Sequence, residues 1–248
     1  MSNPHLQPHH RLDVHCRIGS LHIDVDLELS APWTLLFGPS GSGKSSLLRA
    51  ACGLLECKGI AFSRQQPDGN WLALQEASTR IPPHLRGLRW APQHASLFPH
   101  LTVRENIEFG TRADNSTAQN KDLISEAMRL FRIDNLVSRK PCDLSGGERQ
   151  RVSLARAFAA PGCMLMLLDE PFNGIDHALR DELLPEMRAW LHDHNIPALS
   201  VTHDVEEALQ LQADVVLLRD GKVEAQGPAS EVLHAERERL LQSLGLSR

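Results

Sequence analysis

Residues 38–46 read Gly38-Pro39-Ser40-Gly41-Ser42-Gly43-Lys44-Ser45-Ser46, and this stretch decides the fold. The apolar run before it, 34–37, predicts a buried strand, and residues 45–55 predict a helix. A Gly-rich turn in that setting aims several backbone N–H groups into one concavity at a helix N-terminus. Unpaired donors and the positive dipole end favour an anion there. Gly38, Gly41 and Gly43 allow the backbone to bend and approach phosphate oxygens, with Pro39, Ser40, Ser42 and Ser46 completing the cradle. Lys44 can reach the β and γ oxygens of a nucleotide, and the Ser45 hydroxyl can hold Mg²⁺. The alternative is an ordinary Gly/Ser loop, which the strand-to-helix context argues against. Alone, the motif names no reaction.

At 248 residues the chain can bury a substantial core in one large domain or two small lobes. A net charge of −5 with interspersed signs provides no basic field, so no nucleic-acid partner is expected. Cys16, Cys52, Cys57, Cys142 and Cys163 form neither a CxxC pair nor a zinc spacing, which predicts buried free thiols in a reducing compartment. No run approaches the ~18–20 apolar residues of a membrane span, and residues 1–10 hold no apolar signal core. The expectation is a soluble, cytosolic chain with a flexible tail over 1–10, in which His5, His9 and His10 are tail residues rather than a metal tract.

Residues 11–29 alternate apolar and polar side chains (Leu21, Ile23, Val25, Leu27, Leu29), the period of half-buried antiparallel strands. Residues 58–90, rich in Gly, Pro and polar residues, are expected to complete that β lobe with strands and long turns. Helical periodicity follows over 101–138, broken by a polar stretch at 111–120 that reads as a loop. Residues 146–160 predict a helix opened by Leu-Ser-Gly-Gly, another anion-friendly end. The runs 163–168 and 198–201 fit central parallel strands, and the helix expected over 178–192 should kink or break at Pro185. A hairpin turn is expected at Asp220-Gly221 and a closing helix over 231–244. There is no internal repeat and no linker.

Asp169 and Glu170 end a predicted buried strand, where ligands bind in α/β sheets. Adjacent acids there can divide labour: Asp169 holds Mg²⁺ through its water shell while Glu170 orients and deprotonates an attacking water. A strand end with two solvated acids is the plainer alternative. His203 follows the next strand and could bond a γ-phosphate or hold the water, although a lone His is more often structural. Gln93, between the β and helical regions, could ligate Mg²⁺ or water through a neutral amide.

The set Gly38–Ser46, Gln93, Leu-Ser-Gly-Gly-Glu-Arg-Gln-Arg at 144–151, Asp169-Glu170-Pro171, Asp176 and His203, in this order, resembles the nucleotide-binding subunit of ATP-binding cassette transporters over nearly the whole chain. The resemblance implies an α/β P-loop NTPase (RecA-like) core with an antiparallel β lobe at about 11–30 and 57–92, an inserted helical lobe at about 94–160, and a catalytic core in the remainder of 11–248. It also implies that Lys44 and Ser45 bind the phosphates and Mg²⁺ of ATP, that Gln93 and His203 sense the γ-phosphate, that Glu170 is the general base, and that Asp176 lies in the loop between subunits. Ser145, Gly146 and Gly147 then complete the site of a second copy in a head-to-tail dimer. Two features depart from the family: residues 17–20 offer no aromatic to stack on adenine, and Phe172-Asn173-Gly174-Ile175 precedes Asp176 where small residues followed by Leu are commoner.

The finer resemblance is to molybdate importer ATPases, carried by 36–49, 81–110 and 181–203. It implies a peripheral subunit on the cytoplasmic side of the cell membrane, working with separate transmembrane permease subunits and indirectly with a substrate-binding protein. Sulfate, tungstate and sugar importers share many of these motifs. A chain ending at Arg248 is expected to carry no appended oxyanion-binding domain. A soluble ATPase of the same superfamily, acting on DNA or ribosomes, is the competing class; those resemble chains with long coiled-coil insertions or two cassettes, absent here.

Overall fold

The computed structural model describes residues 9–111 and 117–234. Most of the expected N-terminal tail, including His5, part of the polar stretch at 112–116, and residues 235–244 of the expected closing helix lie outside the described residues. Among the described residues ten strands form one sheet, in the order β5 (Trp71–Gln75), β4 (Ile60–Gln65), β1 (His10–Ile18), β2 (Leu21–Leu29), β10 (Lys222–Pro228), β9 (Asp214–Arg219), β3 (Trp33–Phe37), β8 (Ala198–Val201), β7 (Leu165–Asp169) and β6 (Leu88–Ala91).

Strands β1 (His10–Ile18) and β2 (Leu21–Leu29) pair antiparallel, with Val14 opposite Val25. Their period-two pattern buries Leu12, Val14 and Cys16 on β1 and Ile23, Val25 and Leu27 on β2. Strands β4 (Ile60–Gln65) and β5 (Trp71–Gln75) extend this antiparallel section. Strand β6 (Leu88–Ala91) does not: it pairs parallel with β7 (Leu165–Asp169) at the opposite sheet edge. The expectation that 58–90 belongs wholly with the antiparallel strands is corrected at its C-terminal end. A four-residue strand leaves little periodic signal, and only its partner reveals its place.

The central strands β3 (Trp33–Phe37), β7, β8 (Ala198–Val201) and β9 (Asp214–Arg219) run parallel. Alternate residues of these continuous apolar runs enter opposite cores. Leu35, Met166, Leu168 and Val215 face the larger core with most of the helices; Leu36, Leu165, Leu167 and Val216 face the core that contains Leu47 and Leu48 of helix α1 (Lys44–Cys52). Burial on both faces is why these runs show no amphipathic alternation. Strand β10 (Lys222–Pro228) returns from β9 through Asp220 and Gly221, both at positive φ, the predicted hairpin.

On the larger core lie α2 (Val103–Glu108), α3 (Thr117–Leu130), α4 (Gly146–Phe158), α5 (His177–Asp193) and α6 (Val205–Leu211). Phe158 of α4 meets Phe131 edge-on at 5.0 Å and Trp190 of α5 at 4.9 Å, so two aromatic contacts join three helical segments. Truncating such a side chain costs about 3–5 kcal/mol. Helix α3 begins inside the stretch expected to be a loop. Helix α5 runs without interruption through Pro185, because Leu183, Leu184, Met187 and Leu191 on both sides of it are anchored in the core. His10, read as tail, is a buried β1 residue stacked on Phe62 at 5.8 Å. The cysteines are free, as expected, but burial holds only for Cys16 and Cys52: Cys57 and Cys163 are half-buried and Cys142 is exposed. The last described helix, α7, is Ala229–Val232, two residues before the expected start. No helix among the described residues is long and apolar enough to cross a membrane.

Candidate functional site

The loop 38–43 leaves β3 and enters α1 at the C-terminal end of the parallel strands, where such sheets offer ligand sites. It packs closely on β9: a Cβ on Gly38 would lie 2.1 Å from the Leu218 carbonyl oxygen, and φ there is +144°. Only glycine fits. The Lys44 ammonium folds back over the loop and donates to the carbonyls of Gly38 at 2.7 Å and Pro39 at 2.8 Å. Burial lowers its pKa, while Glu170 and Asp169 act in the opposite direction.

Helix α1 differs at its N-terminus from four of the other helices. Thr102, Ser145, Asp176 and Asp204 cap α2, α4, α5 and α6 with side-chain oxygens, whereas α1 has no side-chain cap and no acid in its first turn. Its leading N–H donors are thus left for another acceptor. The Ser42 hydroxyl is also buried without a hydrogen-bond partner. An anion at the helix end would satisfy its leading N–H donors.

Facing α1, the end of β7 presents Asp169, whose Oδ1 accepts the Ser45 hydroxyl at 3.0 Å. Asp169 is buried, and burial pushes its carboxyl above the ordinary range; the Ser45 bond opposes this and the Glu170 charge adds to it. A buried carboxylate beside a hydroxyl is an oxygen donor set that suits a hard divalent cation. Glu170 stands next along the chain in a left-handed conformation, φ 45°, unusual for a residue with a side chain. Its N–H donates to the Val201 carbonyl on β8 at 3.0 Å. This backbone turn brings one carboxylate oxygen to the Gln93 amide at 2.9 Å and the other to His203 Nδ1 at 3.7 Å. Gln93, Glu170 and His203, distant in sequence, therefore converge, and His203 is largely exposed.

A cleft of about 180 Å³ adjoins this group, lined by Glu170, Asn173, Arg180 and His203 among others. Arg180 is a functional candidate that the sequence reading missed. It is buried and bonds Asp181, Asp204 and Glu206, tying α5 to the segment that carries His203. Thr202 on the same segment donates to Glu207 at 2.7 Å. Within a helical pattern Arg180 looks like an ordinary polar position; only its contacts distinguish it.

Ser145, Gly146 and Gly147 lie elsewhere, in a separate groove of about 370 Å³ with Gly174, Ile175 and Asp176 that contains no residue of the phosphate loop. Ser145 caps α4 through a reciprocal arrangement with Glu148. A Cβ on Gly147 would approach the Gly174 carbonyl oxygen to 2.7 Å, so the helix and the Asn173–Asp176 turn are in direct contact. Gln150 strengthens this junction by donating to the Pro171 carbonyl at 3.3 Å. Asp176 caps α5, accepting from the Leu179 N–H at 2.9 Å. Within one chain, then, Lys44, Ser45, Gln93, Asp169, Glu170 and His203 share one region while Ser145, Gly146 and Gly147 occupy another. The turn 17–20 holds no aromatic side chain.

A larger cleft of about 740 Å³, between β1, the start of β4 and residues 75–80, contains none of the predicted site residues.

Comparison with known proteins agrees with this architecture. The family model described as ABC transporter matches residues 23–173. The chain is 44% identical over 221 residues to the molybdenum import ATP-binding protein ModC of Pseudomonas savastanoi pv. phaseolicola, covering 89% of this chain and 60% of that protein. It is 36% identical over 221 residues to the molybdate/tungstate import ATP-binding protein WtpC of Archaeoglobus fulgidus, covering 89% of this chain and 87% of that one. The chain thus spans less than two thirds of the length of ModC. A solved structure of an ATP-binding subunit of an ABC transporter superposes with a TM-score of 0.74 at 24% identity, over 96% of this chain and 93% of the other, the same α/β P-loop fold.

Proposed function

The chain belongs to the ABC transporter family, and we propose that it binds and hydrolyses ATP to energise import of an oxyanion, molybdate or tungstate. The observation that carries this reading is the convergence on one uncapped helix N-terminus of Lys44, Ser45 and Asp169 with the Gln93–Glu170–His203 group. Residues 38–46 cradle the triphosphate with backbone N–H groups, and Lys44 exchanges its two carbonyl partners for phosphate oxygens. Ser45, Asp169 and Gln93 would hold Mg²⁺, which would supply neutralisation of phosphate charge. Glu170 takes the proton of the attacking water, with Gln93 and His203 holding the carboxylate and the γ-phosphate in register.

Ser145, Gly146 and Gly147 line a groove that holds no residue of this loop, and in this reading, as in the family resemblance, a second copy in head-to-tail arrangement brings its own three to the site. Closure of that dimer then pushes on separate permease subunits at the cytoplasmic membrane face, which receive cargo from a substrate-binding protein. The oxyanion assignment follows the names of the two relatives above. Titration of a fluorescent ATP analogue tests the binding half of this reading: saturable binding by the wild type that Lys44→Ala weakens at least tenfold supports it, and equal binding by both refutes it.

A further inference from the structure

Arg86 is among the largest fully buried side chains, with no exposed surface, and it plays no part in the site described above. It follows a short turn at Pro83–Leu85 and precedes Gly87 and β6. The guanidinium donates in three directions: Nε to the Ile81 carbonyl at 2.9 Å, Nη1 to the Ala51 carbonyl at 2.7 Å, and Nη2 to Oε1 of Gln75 at 2.7 Å. These acceptors belong to the segment before β6, the last turn of α1, and the end of β5. All of them are neutral. Burial lowers the Arg86 pKa, so the cation is held at a desolvation cost.

A buried cation without a carboxylate is an uncommon arrangement, and its surroundings explain how it persists. It sits at the negative end of the α1 dipole, on a helix carbonyl that has no intrahelical donor. Arg80 adds a second cation there by donating to the Gly53 carbonyl at 3.1 Å. Gly53, the left-handed C-cap of α1, packs so closely that a Cβ would lie 2.4 Å from Arg86 Nη2. A planar fork of donors fits this space, and a lysine ammonium cannot span the same three acceptors.

Position gives the clamp its meaning. Helix α1 has nine residues, with Lys44 and Ser45 at one end and Arg86's grip on Ala51 at the other. A helix this short moves as a rigid rod of about 14 Å. On the other side, Arg86 leads through β6 to Gln93, which bonds Glu170. We propose that Arg86 is a positioning residue for the nucleotide site, fixing the phosphate-loop helix relative to the strand that delivers Gln93. The proposal rests on the reading of residues 38–46 as a nucleotide site.

The test compares wild type, Arg86→Lys, Arg86→Met and Gln75→Leu in the full chain, each at a temperature well below its own unfolding midpoint, with circular dichroism confirming the folded fraction. ATP-analogue Kd, KM and kcat are measured in parallel. Misplacement of about 1 Å in a phosphoryl-transfer site can lower the rate by up to ~10²-fold. Folded Arg86→Met should therefore lose about tenfold or more in kcat. Arg86→Lys should recover part of this, and Gln75→Leu should show a smaller loss in the same direction. A merely structural role would lower the midpoint while leaving the kinetics of the folded protein unchanged, and that result overturns the proposal. Should Arg86→Met fail to fold, wild-type kinetics in Gln75→Leu and Arg86→Lys together overturn it. Failure of the wild type to bind ATP refutes the reading of residues 38–46 instead, and takes the premise of the proposal with it.

Discussion

The amide of Gln93 donates to Oε2 of Glu170 across 2.9 Å, although the two residues are 77 positions apart. One sits beyond β6 and the other beyond β7, and the parallel pairing of Trp90 with Leu167 and Ala91 with Leu168 sets their distance. A hydrogen bond to a charged acceptor is worth about 1.5–3 kcal/mol. Gln93→Ala should therefore slow ATP hydrolysis by about 10- to 100-fold with a smaller loss of Mg-nucleotide affinity, read as a fall in kcat that exceeds the rise in Kd. Loss of binding with unchanged kcat would place Gln93 in ground-state contact alone.

Asp169 contributes to the pH dependence of stability. Its folded-state pKa is raised above the ordinary value of 3.8, chiefly by burial. Ionisation therefore costs stability: the folded state is favoured below that value, and stability declines as pH rises through the folded pKa. With metal and nucleotide removed, Asp169→Asn should raise Tm at pH 7 relative to wild type and flatten this decline, because the amide oxygen can still accept from Ser45. Thermal unfolding curves at several pH values check this, and a lower Tm for Asp169→Asn at pH 7 would contradict it.

The separation of Ser145, Gly146 and Gly147 from the phosphate loop predicts complementation. A heterodimer of Lys44→Ala with Ser145→Arg carries both defects in one composite site and neither in the other. Where one intact site can turn over, its phosphate release should exceed that of either homodimer. Equal activity in all of them, with ATP bound, would rule out the arrangement in trans.

Much of the architecture was legible in the sequence because it is periodic. The alternation along 11–29 gives the β1–β2 pair, and the apolar runs around Leu36, Leu167 and Leu199 give central strands, since burial on both faces requires continuous apolar side chains. The phosphate loop is local, so its Gly spacing and flanking elements sufficed to find it. Convergence is different. Residue chemistry and strand-end position suggested that 93, 170 and 203 could each act on water or phosphate, but nothing local to them shows that they meet; the family resemblance joined them and the parallel pairing of β6, β7 and β8 brings them together. Residues 58–90 were least legible because their polar and Gly-rich turns separate short strands that pair in different parts of the sheet. Pro185 does not break α5, because core contacts on both sides of it outweigh local propensity. Arg86 and Arg180 had no sequence signal, since an arginine's burial is a property of its neighbours.

Steady-state phosphate release from wild type and Glu170→Gln at saturating Mg-ATP, with ATP-analogue Kd measured on the same preparations, tests Glu170 as the base of a composite ATPase site. Removing a general base is worth roughly 10² to 10⁴ in rate. Glu170→Gln keeps the side-chain shape and can still meet Gln93, so the expected result is unchanged nucleotide affinity, hydrolysis slowed by that factor, and an ATP-dependent dimer visible by size-exclusion chromatography. Near-wild-type phosphate release from Glu170→Gln would contradict the account.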